Sequence, residues 1–177
     1  MRSPRFALVL LVALGALPRS AHADWSPDGS VAAQLHLELG DQGERGGTLV
    51  VDLWESFGVF RLGLAAGVGA LTGGADAGES NRAFAPLGLS LGVAGMGSRV
   101  GGSLTVRAGP WGGATNEGLQ GGFFTSVGGS LDLRWGERLS VSFLMDFWLI
   151  AGAGEFRSTL APGLALRWTW PDEDAPP

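Results

Sequence analysis

Residues 164–170 read Leu-Ala-Leu-Arg-Trp-Thr-Trp, and this stretch decides the fold. Large apolar side chains occupy every second position, and Ala, Arg and Thr lie between them. Successive side chains of a β-strand point to opposite faces, so the stretch predicts a strand with one apolar face and one small or charged face. Such a strand must meet a different environment on each side.

The same alternation recurs along the chain and predicts eight strands. No apolar period of 3.6 residues persists after residue 23, and Gly-rich turns separate the alternating stretches. The predicted strands are 31–39, 48–54, 57–70, 85–95, 99–108, 120–135, 138–150 and 162–170. We therefore predict an all-β fold, an eight-stranded antiparallel up-and-down β-barrel.

The sizes of the side chains on the two faces predict which face points inward. An eight-stranded barrel has an interior just wide enough for side chains to fill. One face carries nearly all of the Leu, Val and Phe, whereas the other carries Gly, Ser, Thr and a few charges. The small set suits the interior, which leaves the aliphatic set facing lipid, so we predict a transmembrane barrel.

Charges on the small-residue face predict a network of ion pairs in the lumen, because buried charges persist only when they are paired. The predicted members are Glu38, Asp52, Asp132, Asp146, Arg61, Arg99, Arg107, Arg134 and Arg167. Solvated charges on a soluble sheet are the alternative interpretation. The lipid face should carry no charge at mid-depth, where an Arg costs roughly 2–4 kcal/mol.

Aromatic residues near the strand ends predict two belts at the depth of the lipid headgroups. The tryptophans assigned to the membrane interface are Trp54, Trp111, Trp135, Trp168 and Trp170. By contrast, the alternation of side chains between the two faces of the strand (its parity) directs Trp148 inward. Pro86 and Pro162 conflict with a closed ladder, since proline has no N–H to donate, and we expect both at strand starts or bulges.

The predicted connections alternate in length, and this alternation gives the expected orientation. Short connections fall at 55–56, 96–98 and 136–137, and longer ones at 40–47, 71–84, 109–119 and 151–159. Outer-membrane barrels have short periplasmic turns and longer external loops. Eight strands bring both termini to the short-turn side, so we expect both termini in the periplasm.

The N-terminus predicts export. Arg2 and Arg5 precede an apolar run over 6–17, and Ala21-His22-Ala23 is a small-residue cleavage signal, so 1–23 is predicted to be a signal peptide. The sequence has no Cys, which excludes a lipid-anchored lipoprotein and disulfides. The mature chain keeps 9 of the 12 basic residues and all 17 acidic ones; its formal charge, 9 − 17 = −8, argues against a nucleic-acid partner.

The last predicted strand is the most specific feature, because Leu164, Leu166, Trp168 and Trp170 alternate up to a final aromatic residue. Here the chain resembles the small eight-stranded outer-membrane barrels of the outer-membrane protein A or X type. The resemblance implies contact with outer-membrane lipid and recognition of this strand by the outer-membrane assembly machinery. We expect a monomer, a barrel domain over 24–170 and a short disordered periplasmic tail over 171–177, which is acidic and Pro-rich.

The signals for a catalytic or metal site are weak. His36 is the only histidine of the mature chain, and no ligand cluster has the spacing of a zinc site, so we predict no metal and no cofactor. His36 and Glu38 with a Ser could serve a lipid-modifying barrel enzyme, but parity directs His36 inward, so we predict no catalytic residue. The predicted role is structural, in envelope integrity or in surface interaction. The alternatives are that enzyme, a soluble lipocalin-like periplasmic ligand binder and a narrow pore.

Overall fold

The computed structural model describes residues 25–39, 45–73, 81–115, 118–152 and 155–170, which form eight antiparallel strands. The strands are β1 Trp25–Glu38, β2 Arg45–Phe57, β3 Phe60–Thr72, β4 Asn81–Met96, β5 Val100–Thr115, β6 Gly118–Arg134, β7 Leu139–Gly152 and β8 Glu155–Thr169. Each strand pairs with its neighbours in chain order, and β1 pairs with β8 to close the barrel. The predicted fold class and strand number are confirmed.

The topology defines two ends of the barrel. The turn end carries the connections 58–59, 97–99 and 135–138, together with both ends of the described chain at Trp25 and Trp170. The loop end carries the connections that follow β1, β3, β5 and β7. The predicted signal peptide, 1–23, and the predicted tail, 171–177, lie outside the described residues. Within the described ranges, no helix is long and apolar enough to cross a bilayer.

The strands reach further toward the loop end than the sequence predicted. β5 continues to Thr115 and β6 begins at Gly118, while β7 continues to Gly152 and β8 begins at Glu155. The predicted long connections 109–119 and 151–159 are therefore wrong, and connection length does not distinguish the two ends. These segments are rich in Gly and Ala, which weakens the alternation of the sequence, but the backbone groups that pair the strands are present in every such residue.

The outer wall of the barrel is apolar. Large apolar side chains at alternate positions are exposed on every strand, as Leu87, Leu89 and Leu91 are on β4. The side chains between them point inward and are buried, as Thr48 and Asp52 are on β2. The predicted outward orientation of the aliphatic face is confirmed. A soluble lipocalin-like barrel needs the opposite arrangement, so that alternative is wrong.

The interior holds large rings as well as small side chains, whereas only the small side chains were predicted to suit it. A buried cluster toward the loop end contains Phe84, Trp111, Phe124 and Trp148. Inward glycines make room for these rings: a Cβ at Gly69 would lie 2.8 Å from the ring of Phe84, and one at Gly152 would lie 2.6 Å from that of Trp111. Within the interior, this aromatic cluster therefore lies toward the loop end, away from the buried carboxylates Asp28 and Asp132 near the turn end.

Pro86 and Pro162 lie inside strands and not at strand starts or bulges, so that prediction is wrong. The pairing of β3 with β4 skips 67–68 opposite 85–86, and the pairing of β1 with β8 skips 35–36 opposite 161–162. Equal numbers of residues are skipped on the two paired strands, so the register is the same before and after each interruption. The ladder is interrupted at both prolines because neither has an N–H to donate.

Candidate functional site in the barrel interior

One arginine at mid-height joins carboxylates from two strands. Arg107 of β5 donates from Nε to Oδ1 of Asp52 on β2, at 2.8 Å, and from NH2 to Oδ2 of the same carboxylate, at 2.9 Å. Its NH1 lies 2.8 Å from Oδ2 of Asp146 on β7. Gln34 of β1 donates to the same oxygen of Asp146. This ionic cluster links four strands across the lumen.

Two further ion pairs lie nearer the turn end. Arg167 of β8 pairs with Asp132 of β6 through NH1 and Oδ2. Arg61 of β3 pairs with Asp28 of β1 at 2.9 Å, and Ser56 donates to that carboxylate as well. All the carboxylates in these pairs are buried. A buried carboxylate is tolerated only with a well-placed cation and hydrogen-bond donors, so each arginine stabilises a charge that the interior would otherwise exclude.

The structure places the nine residues predicted for the interior network in three different environments. The interior ion pairs contain Asp52, Arg61, Arg107, Asp132, Asp146 and Arg167. Arg99 and Arg134 are instead exposed at the turn end. The alternation of the strands assigns both side chains to the inward face. However, Arg99 precedes β5 and Arg134 is the last residue of β6, so both lie at the rim. Glu38 ends β1 at the opposite rim, where Arg157 attracts it.

His36 lies between the ionic cluster and the aromatic cluster, and it is fully buried. Its Nδ1 is 2.8 Å from Oγ1 of Thr159, and its Nε2 is 2.7 Å from Oγ1 of Thr48. The imidazole meets Trp148 edge to face, with ring centroids 5.2 Å apart. The predicted inward direction of His36 is confirmed. Its hydrogen-bond partners are threonine hydroxyls inside the barrel, whereas an enzyme acting on membrane lipid would need its catalytic base at the outer wall or rim.

Two of the five tryptophans predicted for the membrane interface are interior residues. Trp54 is 3% exposed and Trp111 is 7% exposed. Trp54 shares the parity of Asp52, and Trp111 shares that of Arg107, so each points inward with its ionic neighbour. The indole N–H of Trp111 donates to the carbonyl oxygen of Ala151 at 3.0 Å, which satisfies the polar atom of a buried ring.

The other three tryptophans lie at the turn end. Trp135 is 75% exposed in the connection between β6 and β7. Trp170 is also exposed, and Trp168 is half-buried against the backbone of Gly29. The rings of Trp168 and Trp170 meet edge to face, with centroids 5.5 Å apart. These three remain predicted interface residues, and all of them belong to a single rim.

Sequence reasoning missed two charged residues of the interior. Asp28 lies before the first predicted strand, 31–39, and the Pro27 and Gly29 on either side of it are residues typical of turns. Arg157 was assigned to a loop, but it is buried on β8. Both would have been found by extending the alternation of inward and outward positions toward the start of β1 and of β8. Asp28 lies an even number of residues from the inward Gln34, and Arg157 lies an even number of residues from the inward Arg167.

The interior leaves little free space next to the ionic cluster. The space beside Arg107, Phe124 and Trp148 is too small to admit a water molecule. At the loop end, a recess of about 20 Å³ lies between Arg82 and Arg157. In the part of the chain that the structure describes, no three His, Asp, Glu or Cys side chains lie together as a metal site requires. The arrangement can brace the wall and obstruct the lumen.

The sequence matches no protein-family model and no curated protein. Among solved structures, the chain is similar to Neisserial surface protein A, with a TM-score of 0.64 and 10% identity over 82% of this chain and 97% of that one. It is also similar to the outer membrane enzyme PagL, with a TM-score of 0.49 and 13% identity over 78% of this chain and 98% of that one. For the N-terminal β-barrel domain of Pseudomonas aeruginosa OprF, the TM-score is 0.46 at 12% identity, over 82% and 100% of the chains.

The likeness to Neisserial surface protein A concerns the fold. At 10% identity, with 97% of that chain covered, the two proteins share a closed barrel of similar extent and few residues. The predicted resemblance to the small eight-stranded outer-membrane barrels is confirmed at this level.

Proposed function

We propose that the protein is an integral outer-membrane barrel with a charge-filled, obstructed lumen and a structural, envelope-integrity or surface-interaction role. The observation that carries this proposal is the apolar outer wall, on which Leu89 is 61% and Leu104 is 60% exposed. Soluble monomers rarely expose a contiguous apolar patch larger than a few hundred Å². Lipid acyl chains are the surroundings that suit a wall of this kind on all sides of a barrel.

Export by the predicted signal peptide would deliver the chain to the periplasm, and we assign the turn end to that side. An even number of strands supports this assignment, because it returns the chain to the side on which it began. The last strand presents Leu164 and Leu166 outward and ends beside Trp170. These are the residues through which we expect the assembly machinery to recognise the chain.

The interior supports a role that does not involve transport. Arg107 with its two carboxylates and, above it, His36 with Trp148 lie one after the other along the lumen. Paired charges and packed rings hold the wall in a fixed shape while leaving no continuous path for a solute. A rigid barrel of this kind suits a protein that acts through its surface.

Fractionation tests the membrane assignment. After expression of the full chain, we expect the mature protein in the outer-membrane fraction, extractable only with detergent, and with different gel mobility before and after boiling. Leu89→Arg places a charge on the lipid face near mid-strand and should reduce the membrane-inserted, heat-modifiable fraction, at a cost of about 2–4 kcal/mol. Leu89→Ile is the matched control. Recovery of the unmutated protein in the soluble periplasmic fraction without detergent would contradict the proposal.

A further inference from the structure

Three exposed arginines lie at one corner of the turn end. Arg99 lies in the connection between β4 and β5, Arg134 ends β6, and Arg138 lies in the connection to β7. The backbone N–H of Arg134 donates to the carbonyl oxygen of Arg99 at 2.9 Å, so these two residues are neighbours. Glu137 is exposed in the same connection as Arg138. With its acid included, this basic corner carries a net positive formal charge.

The guanidinium groups of the basic corner are not engaged by the interior. The interior carboxylates pair with Arg61, Arg107 and Arg167. Within the described ranges, none of the three corner arginines forms an ion pair. Trp135, which follows Arg134 directly, places an exposed amphipathic ring beside them. Such a ring is favoured at the depth of lipid headgroups.

An apolar groove of about 490 Å³ lies on the outer wall on the same side of the barrel. It extends from Phe57 of β2 to Val127 of β6, and its lining includes Phe60, Leu91, Leu104 and the side chain of Arg61. Leu104 lies five residues along the chain from Arg99, or about 17 Å in an extended strand. Half the hydrocarbon core of a bilayer is about 15 Å thick, so a lipid whose headgroup contacts the corner would lay its acyl chain along the groove.

We propose that the basic corner and this groove together bind an anionic glycerophospholipid, with its phosphate at Arg99 and Arg134. The proposal rests on the membrane location and the periplasmic turn end argued above. Guanidinium groups recognise phosphate oxygens through paired, charge-assisted hydrogen bonds, and the groove buries one acyl chain. The two parts match the two ends of one lipid molecule. The corner arginines take no part in the interior ion pairs, and the groove shares Arg61 with them.

The acidic end of the chain is the competing occupant. Asp172, Glu173 and Asp174 follow Trp170, and the N–H of Thr169 donates to the carbonyl oxygen of Arg138 at 3.0 Å. The last described residues therefore lie beside the basic corner. The groove favours the lipid, because an acidic peptide has no acyl chain to place in it.

Lipid retention in native mass spectrometry tests the site. The folded mature protein is released from detergent micelles that contain equal amounts of phosphatidylglycerol and phosphatidylcholine of the same acyl length. We expect bound phosphatidylglycerol to exceed phosphatidylcholine by about tenfold, since charge-assisted hydrogen bonds distinguish the two headgroups. R99Q/R134Q should bring the ratio close to one. Arg45→Gln, at an exposed arginine of the loop end, is the matched control and should leave the ratio unchanged.

A groove variant separates the two parts of the site. Leu104→Trp fills the groove and should lower retention of both lipids while leaving the phosphatidylglycerol preference of the remaining adduct. Heat-modifiable mobility, measured on every variant, reports whether the barrel itself is intact, so loss of lipid selectivity is distinguishable from failure of membrane insertion.

Three outcomes would overturn the proposal. The first is equal retention of the two lipids by the unmutated protein. The second is an effect of Arg45→Gln as large as that of R99Q/R134Q. The third is a preference for phosphatidylglycerol that arises only in the tail variant D172N/E173Q/D174N, which would assign the arginines to the chain's own acidic end.

Discussion

At the scale of single residues, Arg107 decides the electrostatics of the interior. Its three nitrogens contact Asp52 and Asp146, and the arginine itself is only 5% exposed. Removing one partner of a buried ion pair costs more than the pair contributes, because the charge left behind loses its compensation without regaining water. Arg107 forms ion pairs with two carboxylates, whereas Arg61 and Arg167 each form one.

Arg107→Leu should destabilise the barrel by about 3–5 kcal/mol, the cost of leaving a buried carboxylate without its cation. Urea-induced unfolding of the protein in lipid vesicles, followed by Trp fluorescence, measures the change in the free energy of unfolding. Arg45→Leu, at an exposed arginine of the loop end, is the matched control and should stay within about 0.5 kcal/mol of the unmutated protein, as exposed sites do.

The triple variant R107L/D52N/D146N separates charge from packing. With no unpaired ion left inside, it should recover most of the stability lost in Arg107→Leu. If Arg107→Leu unfolds at the same urea concentration as the control, or if the triple variant is no more stable than the single one, the interior does not depend on this charge balance.

At the scale of the strand, glycine and proline adapt the regular ladder to what the lumen contains. Gly69 of β3 faces Phe84 of β4 in the register, and the ring lies over the place that a side chain at Gly69 would occupy. Pro162 interrupts the ladder between β1 and β8 without shifting its register. Both residues weaken a strand considered alone. In the closed barrel, Gly69 makes room for the aromatic cluster.

Gly69→Ala should destabilise the barrel by about 1–3 kcal/mol, as overpacking of a filled core does. The new Cβ would lie 2.8 Å from two ring atoms of Phe84 and 2.8 Å from Oγ1 of Thr48, which itself bonds His36. The matched control is Gly112→Ala, where a Cβ meets nothing within 4 Å. Urea unfolding of both variants gives the comparison, and equal midpoints would show that the ring of Phe84 moves aside freely.

At the scale of the whole molecule, closure of the barrel makes the interior possible. Pairing of β1 with β8 brings Gln34 against Asp146, and His36 against Thr159, across more than 100 positions of the sequence. The same closure turns the aliphatic residues of all eight strands outward. One event therefore forms both the apolar wall and the ionic and aromatic layers inside it.

The unmutated protein should show no stepwise conductance in planar bilayers if, as we propose, the interior ion pairs and the aromatic cluster obstruct the lumen. A variant that removes the side chains around Arg107, R107S/D52S/D146S/W148A, should produce conductance steps if it still shows heat-modifiable mobility. The single variant Gly112→Ala is a control without an expected effect. Reproducible steps from the unmutated protein would contradict an obstructed lumen and would favour the narrow pore.

The sequence by itself determined the strand number, the strand order and the apolar face of each strand, because alternation is a local property read within a few residues. It also gave the inward direction of Asp52, Asp132 and Asp146 by parity. Only the tertiary structure decided depth and partnership. Arg99 and Arg61 have the same inward parity, yet one lies at the rim and the other pairs with Asp28. The depth of a residue in the barrel and the partners of its side chain depend on strand register and on closure of the barrel. Register and closure bring together residues that are far apart in the chain, and no periodic pattern of the sequence records them.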